Sequence, residues 1–175
     1  MKAVGRPLPK FGTVKRPTKP TAATGVNRFT IRKSLNYTRI RTEVFAAIAT
    51  LPAYQRASIP ASGTLPEQMV GLALAWLGYL PGMAQAQISE GGGRLKVGGA
   101  VVDWILRLGG QKIAIRVTGV YWHSLPDRAL KDIVQYDRLH QLHYLVVDIL
   151  DTELYLAWTE GRLKAFVAEK IQEAA

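Results

Sequence analysis

The chain has no cysteine among its 175 residues. Disulfide scaffolds, cysteine nucleophiles and cysteine-ligated zinc are therefore excluded, and a reducing compartment is permitted. No uncharged apolar run approaches the roughly 18 residues that a membrane helix needs. None follows the basic N-terminus either, so no secretory signal peptide is expected, and the expected location is cytoplasmic or virus-associated. Acid is scarce at one end: Glu43 is the only acidic residue among residues 1–60. The overall composition, 48% hydrophobic and 21% charged, is that of a folded globular chain. It excludes a wholly disordered, collagen-like or coiled-coil protein.

What is present is positive charge, and it is unevenly placed. The net charge is +10. Against Glu43, residues 1–60 set Lys2, Arg6, Lys10, Lys15, Arg16, Lys19, Arg28, Arg32, Lys33, Arg39, Arg41 and Arg56, a balance of +11; residues 61–175 balance at −1. A basic arm is thus joined to a near-neutral body. The length fits one domain with a tail. The sign of the charge predicts a nucleic-acid partner. DNA is expected first, with RNA sharing the same phosphate chemistry. A membrane is not expected, because few apolar anchors accompany the charge.

Residues 1–36 read as an extended arm, since Pro7, Pro9, Pro17 and Pro20 break helices and Gly5, Gly12 and Gly25 loosen the backbone. Two readings stand side by side: a solvated tail, or an arm that tracks phosphates through Lys10, Lys15, Arg16, Lys19, Arg28, Arg32 and Lys33. Phosphate contacts would confer no sequence specificity. Residues 37–60 read as a short helix (39–50, with Ile40, Val44, Phe45 and Ile48 at helical spacing) and a linker. The body is expected over residues 61–175.

In the body, Thr64-Leu65-Pro66-Glu67 is a helix start, with a cap, an early proline and an acid at the third position. That helix runs to about Tyr79. Three strands follow, over 84–89, 100–108 and 112–118, the last two joined by a Gly109-Gly110 hairpin turn; Gly91-Gly92-Gly93 is a turn between the first two. A helix over 127–141, with Leu130, Ile133, Val134 and Leu142 as core residues, leads to a strand over 143–149 that is apolar enough to be central and parallel to a neighbour. A short helix over 152–158 and an amphipathic helix with the stripe Leu163, Phe166, Val167, Ile171 close the chain. The fold class is α/β, a small mixed sheet flanked by helices. Trp76, Trp104 and Trp158 read as core.

Three residues stand out chemically. Asp103 interrupts the apolar strand Val101-Val102-Asp103-Trp104, and a carboxylate there must be paired, bound to a metal or turned to solvent. His123 follows Tyr121-Trp122 just past a strand end, where α/β sites collect; an imidazole there can take a proton near neutral pH. Glu67 opens the body's first helix, where capping alone would also account for it. His140 and His143 straddle a helix end and do not make a metal pair.

An acid on a helix, an acid on the second strand, and Gly119-Val120-Tyr121-Trp122-His123 after the third give an order that resembles the very short patch repair endonucleases and their relatives, in the restriction-endonuclease-like PD-(D/E)XK superfamily. The resemblance covers about residues 62–150 and includes the later Tyr144-Leu145-Val146-Val147 strand, with His143 where the family usually has glycine. It implies an αβββαβ core and an Mg²⁺- or Mn²⁺-dependent DNA endonuclease or nickase. Asp103 would hold the metal with a backbone carbonyl near Val117 or Thr118. His123 would act as base or orient water, and Glu67 would assist. Arg116 would face phosphate, and Tyr121 and Trp122 would wedge against bases. Two departures stand against it: the third strand carries Arg116-Val117-Thr118 where most of the superfamily has Glu-x-Lys, and the repair enzymes' cysteine-bearing zinc site cannot form. The alternative is a catalytically inactive nuclease-like protein that binds nucleic acid or serves a nucleoprotein assembly such as a viral particle or ribosome-like complex.

Overall fold

The computed structural model describes residues 37–90, 100–119 and 126–174. The arm and the turn at Gly91-Gly92-Gly93 lie outside the described residues.

The chain enters through α1 (Tyr37–Thr50) and a five-residue helix, α2 (Ala53–Ala57), where the sequence suggested only a linker. Neither stands apart from the body. Ile40, Val44 and Ile48, at i, i+4 and i+8, join Leu51 and Ile59 in the same buried cluster as the sheet, so residues 37–60 belong to the domain core.

Helix α3 (Leu65–Trp76) starts where the sequence predicts. Thr64 Oγ1 accepts from the Glu67 N–H at 3.5 Å and Glu67 Oε2 accepts from the Thr64 N–H at 3.1 Å, a reciprocal capping box. Buried on nearly every side, α3 carries Gln68 inward, and its amide donates to the carbonyls of Pro60, Ala61 and Gly63. That amide lashes the preceding loop to the helix start.

The sheet comprises β1 (Ala84–Glu90), β2 (Ala100–Leu108), β3 (Gln111–Thr118) and β4 (Tyr144–Leu150), in spatial order β1-β2-β3-β4. β1, β2 and β3 are antiparallel. The β2–β3 turn has positive φ at both Gly109 (54°) and Gly110 (86°), the requirement of a two-residue primed hairpin. β4 runs parallel to β3, pairing Ile115 with Val147 and Thr118 with Leu150. A parallel neighbour needs a crossover, which α4 (Pro126–Gln141) supplies. The parallel orientation follows expectation; the central position does not, since β4 is an edge strand of the described sheet. Its apolarity comes from burial on both faces, Tyr144 facing one cluster and Val147 and Ile149 the other.

One face of the sheet sends Trp104, Leu106, Ile113 and Ile115 against α3, α1, α5 (Asp151–Thr159) and α6 (Leu163–Ala174); the other sends Ile105 and Ala114 against Leu139 of α4. The α6 stripe is buried as its spacing predicts. Helix α4 is phased differently from expectation. Leu139 faces the sheet, and at 100° per residue this turns Ile133 and Val134 away, leaving them 58% and 48% exposed. Trp76 and Trp158 also depart from expectation. They leave the core interior and stack on each other near the surface, ring centroids 6.3 Å apart.

Trp104 sets the spacing between α3 and the sheet. A Cβ at Gly71 would lie 2.6 Å from its Cζ2 and 3.2 Å from Ile59 Cγ1. Gly71→Ala gains up to about 1 kcal/mol of helix propensity but overpacks a site whose neighbours are ring and core aliphatics, at about 1–3 kcal/mol. The expected outcome is a net loss of stability in urea unfolding; a variant more stable than the wild type would contradict this packing.

Candidate functional site

Asp103 lies where β2 and β3 part. Their pairing runs from Leu108 opposite Gln111 to Trp104 opposite Ile115. At the next step the Asp103 carboxylate replaces the ladder: Oδ2 accepts from the Val117 N–H at 2.6 Å. The side chain therefore reaches across toward β3 rather than out to solvent. Val102 groups with Ile105 and Leu139 in one buried cluster, and Trp104 and Leu106 in the other, while β2 keeps an unbroken antiparallel register with β1 through this point, Trp104 opposite Ala86 and Val102 opposite Ile88. A half-buried carboxylate with a charge-assisted bond to a backbone N–H is a satisfied group.

Glu67 is brought to the same end of the sheet through its backbone. Its carbonyl accepts from Trp104 Nε1 at 3.0 Å, which seats the first turn of α3 over the residue that follows Asp103. The Glu67 carboxylate is engaged with its own helix start, as the capping alternative predicts.

Arg116, one residue before Val117, is not a free cation. Its Nε and Nη2 donate to the two oxygens of Asp148 at 2.6 and 2.7 Å, and the two residues are register partners on β3 and β4. The Arg116 side chain is 12% exposed, and its guanidinium lies 5.9 Å from the Tyr136 ring centroid on α4. The position read as a phosphate contact is thus a bidentate ion pair backed by an aromatic ring. The sequence held one hint of Asp148, a second carboxylate inside an apolar strand, but only the parallel register reveals its partner.

Tyr121, Trp122 and His123 lie outside the described residues; the chain leads into them from Gly119. His140 packs on Tyr136, centroids 4.6 Å apart, and His143 has left the helix with φ of 60°, so the two histidines do not pair as ligands. Among the described residues no group of three or more His, Cys, Asp or Glu side chains is placed to hold a metal ion, and no helix is long and apolar enough to cross a membrane.

The described residues begin near this site. Tyr37, the first residue of α1, packs edge-on against Tyr155, centroids 5.9 Å apart. Tyr155 sits about one turn into α5, which begins directly after β4. Tyr37 therefore lies at the C-terminal end of β3 and β4, the end that holds Asp103.

The structural part of Asp103 is separable from any chemical one. Asp103→Ala leaves the Val117 N–H without its acceptor and is expected to cost about 1–3 kcal/mol in urea unfolding. Asp103→Asn keeps an acceptor oxygen in the same place and is expected to cost clearly less. Equal losses for the two variants would show that the bond to Val117 does not hold the strands.

No family model, no curated protein and no solved structure matches the chain, so the geometry of its own residues carries the functional reading.

Proposed function

We propose that the chain is an Mg²⁺- or Mn²⁺-dependent DNA endonuclease or nickase centred on Asp103, related to the very short patch repair endonucleases. One observation carries this reading. The strand carboxylate and the Val117 backbone meet at one point, at the end of the sheet where α/β proteins collect their ligands. The succession α3, β1, β2, β3, α4, β4, with β4 parallel to β3, supports it, because it follows the αβββαβ order of the restriction-endonuclease-like core.

The donors suit a hard cation in part. A carboxylate oxygen and a backbone carbonyl are the oxygen ligands that Mg²⁺ accepts while keeping several waters. One Asp103 oxygen is already occupied by the Val117 N–H, and the third strand offers no second carboxylate. When bound, the cation would offset charge on the phosphate and acidify a water. Asp103 and the Val117 carbonyl would hold it. His123 would accept a proton from water or orient it, and Glu67, at the start of α3, would assist by hydrogen bonding. The basic arm would hold the DNA backbone.

A second reading has its own observation. The Arg116–Asp148 pair occupies the strand position where the superfamily carries an acid and a lysine, so no strand-three carboxylate is left to hold a cation. This favours a nuclease-like scaffold that binds nucleic acid without cutting it, as part of a nucleoprotein assembly.

The readings diverge in a plasmid assay. The nuclease reading expects supercoiled DNA to be nicked or cut only with Mg²⁺ or Mn²⁺. It expects Asp103→Asn, which keeps the fold, to lower the rate by more than about 100-fold, beyond the range for second-shell changes. Equal cutting by the wild type and the variant would remove Asp103 from the chemistry. Thermal melting supplies an independent measure: a real site at 100 times its Kd for Mg²⁺ gains about 2.7 kcal/mol by linkage, whereas a scaffold melts unchanged.

A further inference from the structure

Helix α1 divides its charges between two flanks. On one, Glu43 accepts from Trp158 Nε1 at 2.9 Å and pairs with Arg39 at 3.4 Å, and Trp158 in turn stacks on Trp76. The sole acid of residues 1–60 is thus held against α5 with its charge matched. The other flank carries no acid. Arg41, Phe45 and Ala49 stand at i, i+4 and i+8, one stripe on a helix surface. The Arg41 guanidinium lies 5.4 Å from the Phe45 ring centroid. Arg56 of α2 donates from Nη1 to the Ala49 carbonyl at 3.1 Å, which places a second guanidinium at the far end of the stripe, about 12 Å along the helix from Arg41. Phe45 is 41% exposed, and neither arginine belongs to an ion pair among the described residues.

We infer that this Arg41–Phe45–Arg56 flank is a docking surface for single-stranded nucleic acid, a binding site distinct from the Asp103 region. Three features select that occupant. The stripe continues directly from a segment that carries Arg28, Arg32 and Lys33 and no acid, so its charge complements a polyanion. Two guanidiniums flanking an exposed aromatic provide phosphate contacts around a stacking platform, the combination by which proteins track single strands. A duplex keeps its base faces stacked and offers nothing to the Phe45–Arg41 platform, whereas an unpaired strand does. The surface needs no metal and no chemistry from Asp103.

The test measures binding of a fluorescein-labelled oligothymidine to the full-length chain by anisotropy, across a range of salt and without divalent ions. Arg41→Gln combined with Arg56→Gln should reduce the slope of log affinity against log salt by about 1.4, or 0.7 for each cation removed. Phe45→Ala should weaken binding about 5-fold or more at one salt concentration and leave the slope unchanged. Lys164→Gln, an exposed change on α6, should alter neither. The assay holds no divalent ion and reads binding rather than cutting, which keeps failure of the nuclease reading distinct from failure of this one. An unchanged slope in the double arginine variant overturns the proposal. So does weaker binding to anionic phospholipid vesicles alongside unchanged binding to the oligonucleotide, which would make the flank a membrane contact. A Phe45→Ala effect equal on duplex and single strand would overturn the choice of single strand.

Discussion

Two strands that stop pairing while still covered by helices on both faces leave backbone donors with nowhere to go, and here one carboxylate answers that need. Past Trp104 and Ile115 the ladder ends, and the Val117 N–H is taken by Asp103 at 2.6 Å. A buried donor without a partner costs more than most side-chain contacts return. The opening at the end of the sheet exists because this bond makes it tolerable. Next to it, Trp104 is placed under Gly71 and the Glu67 carbonyl.

The same carboxylate is the centre of the proposed chemistry, and the two roles are compatible to a limited degree. An aspartate that accepts a backbone N–H through one oxygen is fixed in direction. The price is a donor set thinner than a second carboxylate would give. Arg116 deepens the tension, because its charge is matched by Asp148 rather than by a ligand. The end of the sheet is therefore electrostatically settled within the described residues, and a bound phosphate or cation would have to compete with contacts that already exist.

Charge elsewhere is sorted by the fold. The acid of α1 is drawn toward the indole of Trp158, and cations are left on the opposite flank. Tyr37 packs on Tyr155, at the end of the sheet that holds Asp103.

Local rules were enough for the elements. The capping box at Thr64, the paired glycines at 109 and 110 and the α6 stripe each act over a few residues, so their outcome is written in adjacent letters. Ile133 and Val134 misled because a helix of mixed polarity has more than one plausible apolar face, and only Leu139 packing on the sheet chose between them. Asp103 was legible as an anomaly, a charge in an apolar strand, but not as the acceptor for Val117, which stands 14 residues away. The pairings of Arg116 with Asp148 and of Glu43 with Trp158 span 32 and 115 residues. Composition determined the excess of cations and the lack of thiol chemistry, and the order of locally read elements the α/β class. Which cations are matched and which are left facing water was decided by strand register and helix phase, because an ion pair depends on distances of a few ångströms that chain separation does not encode.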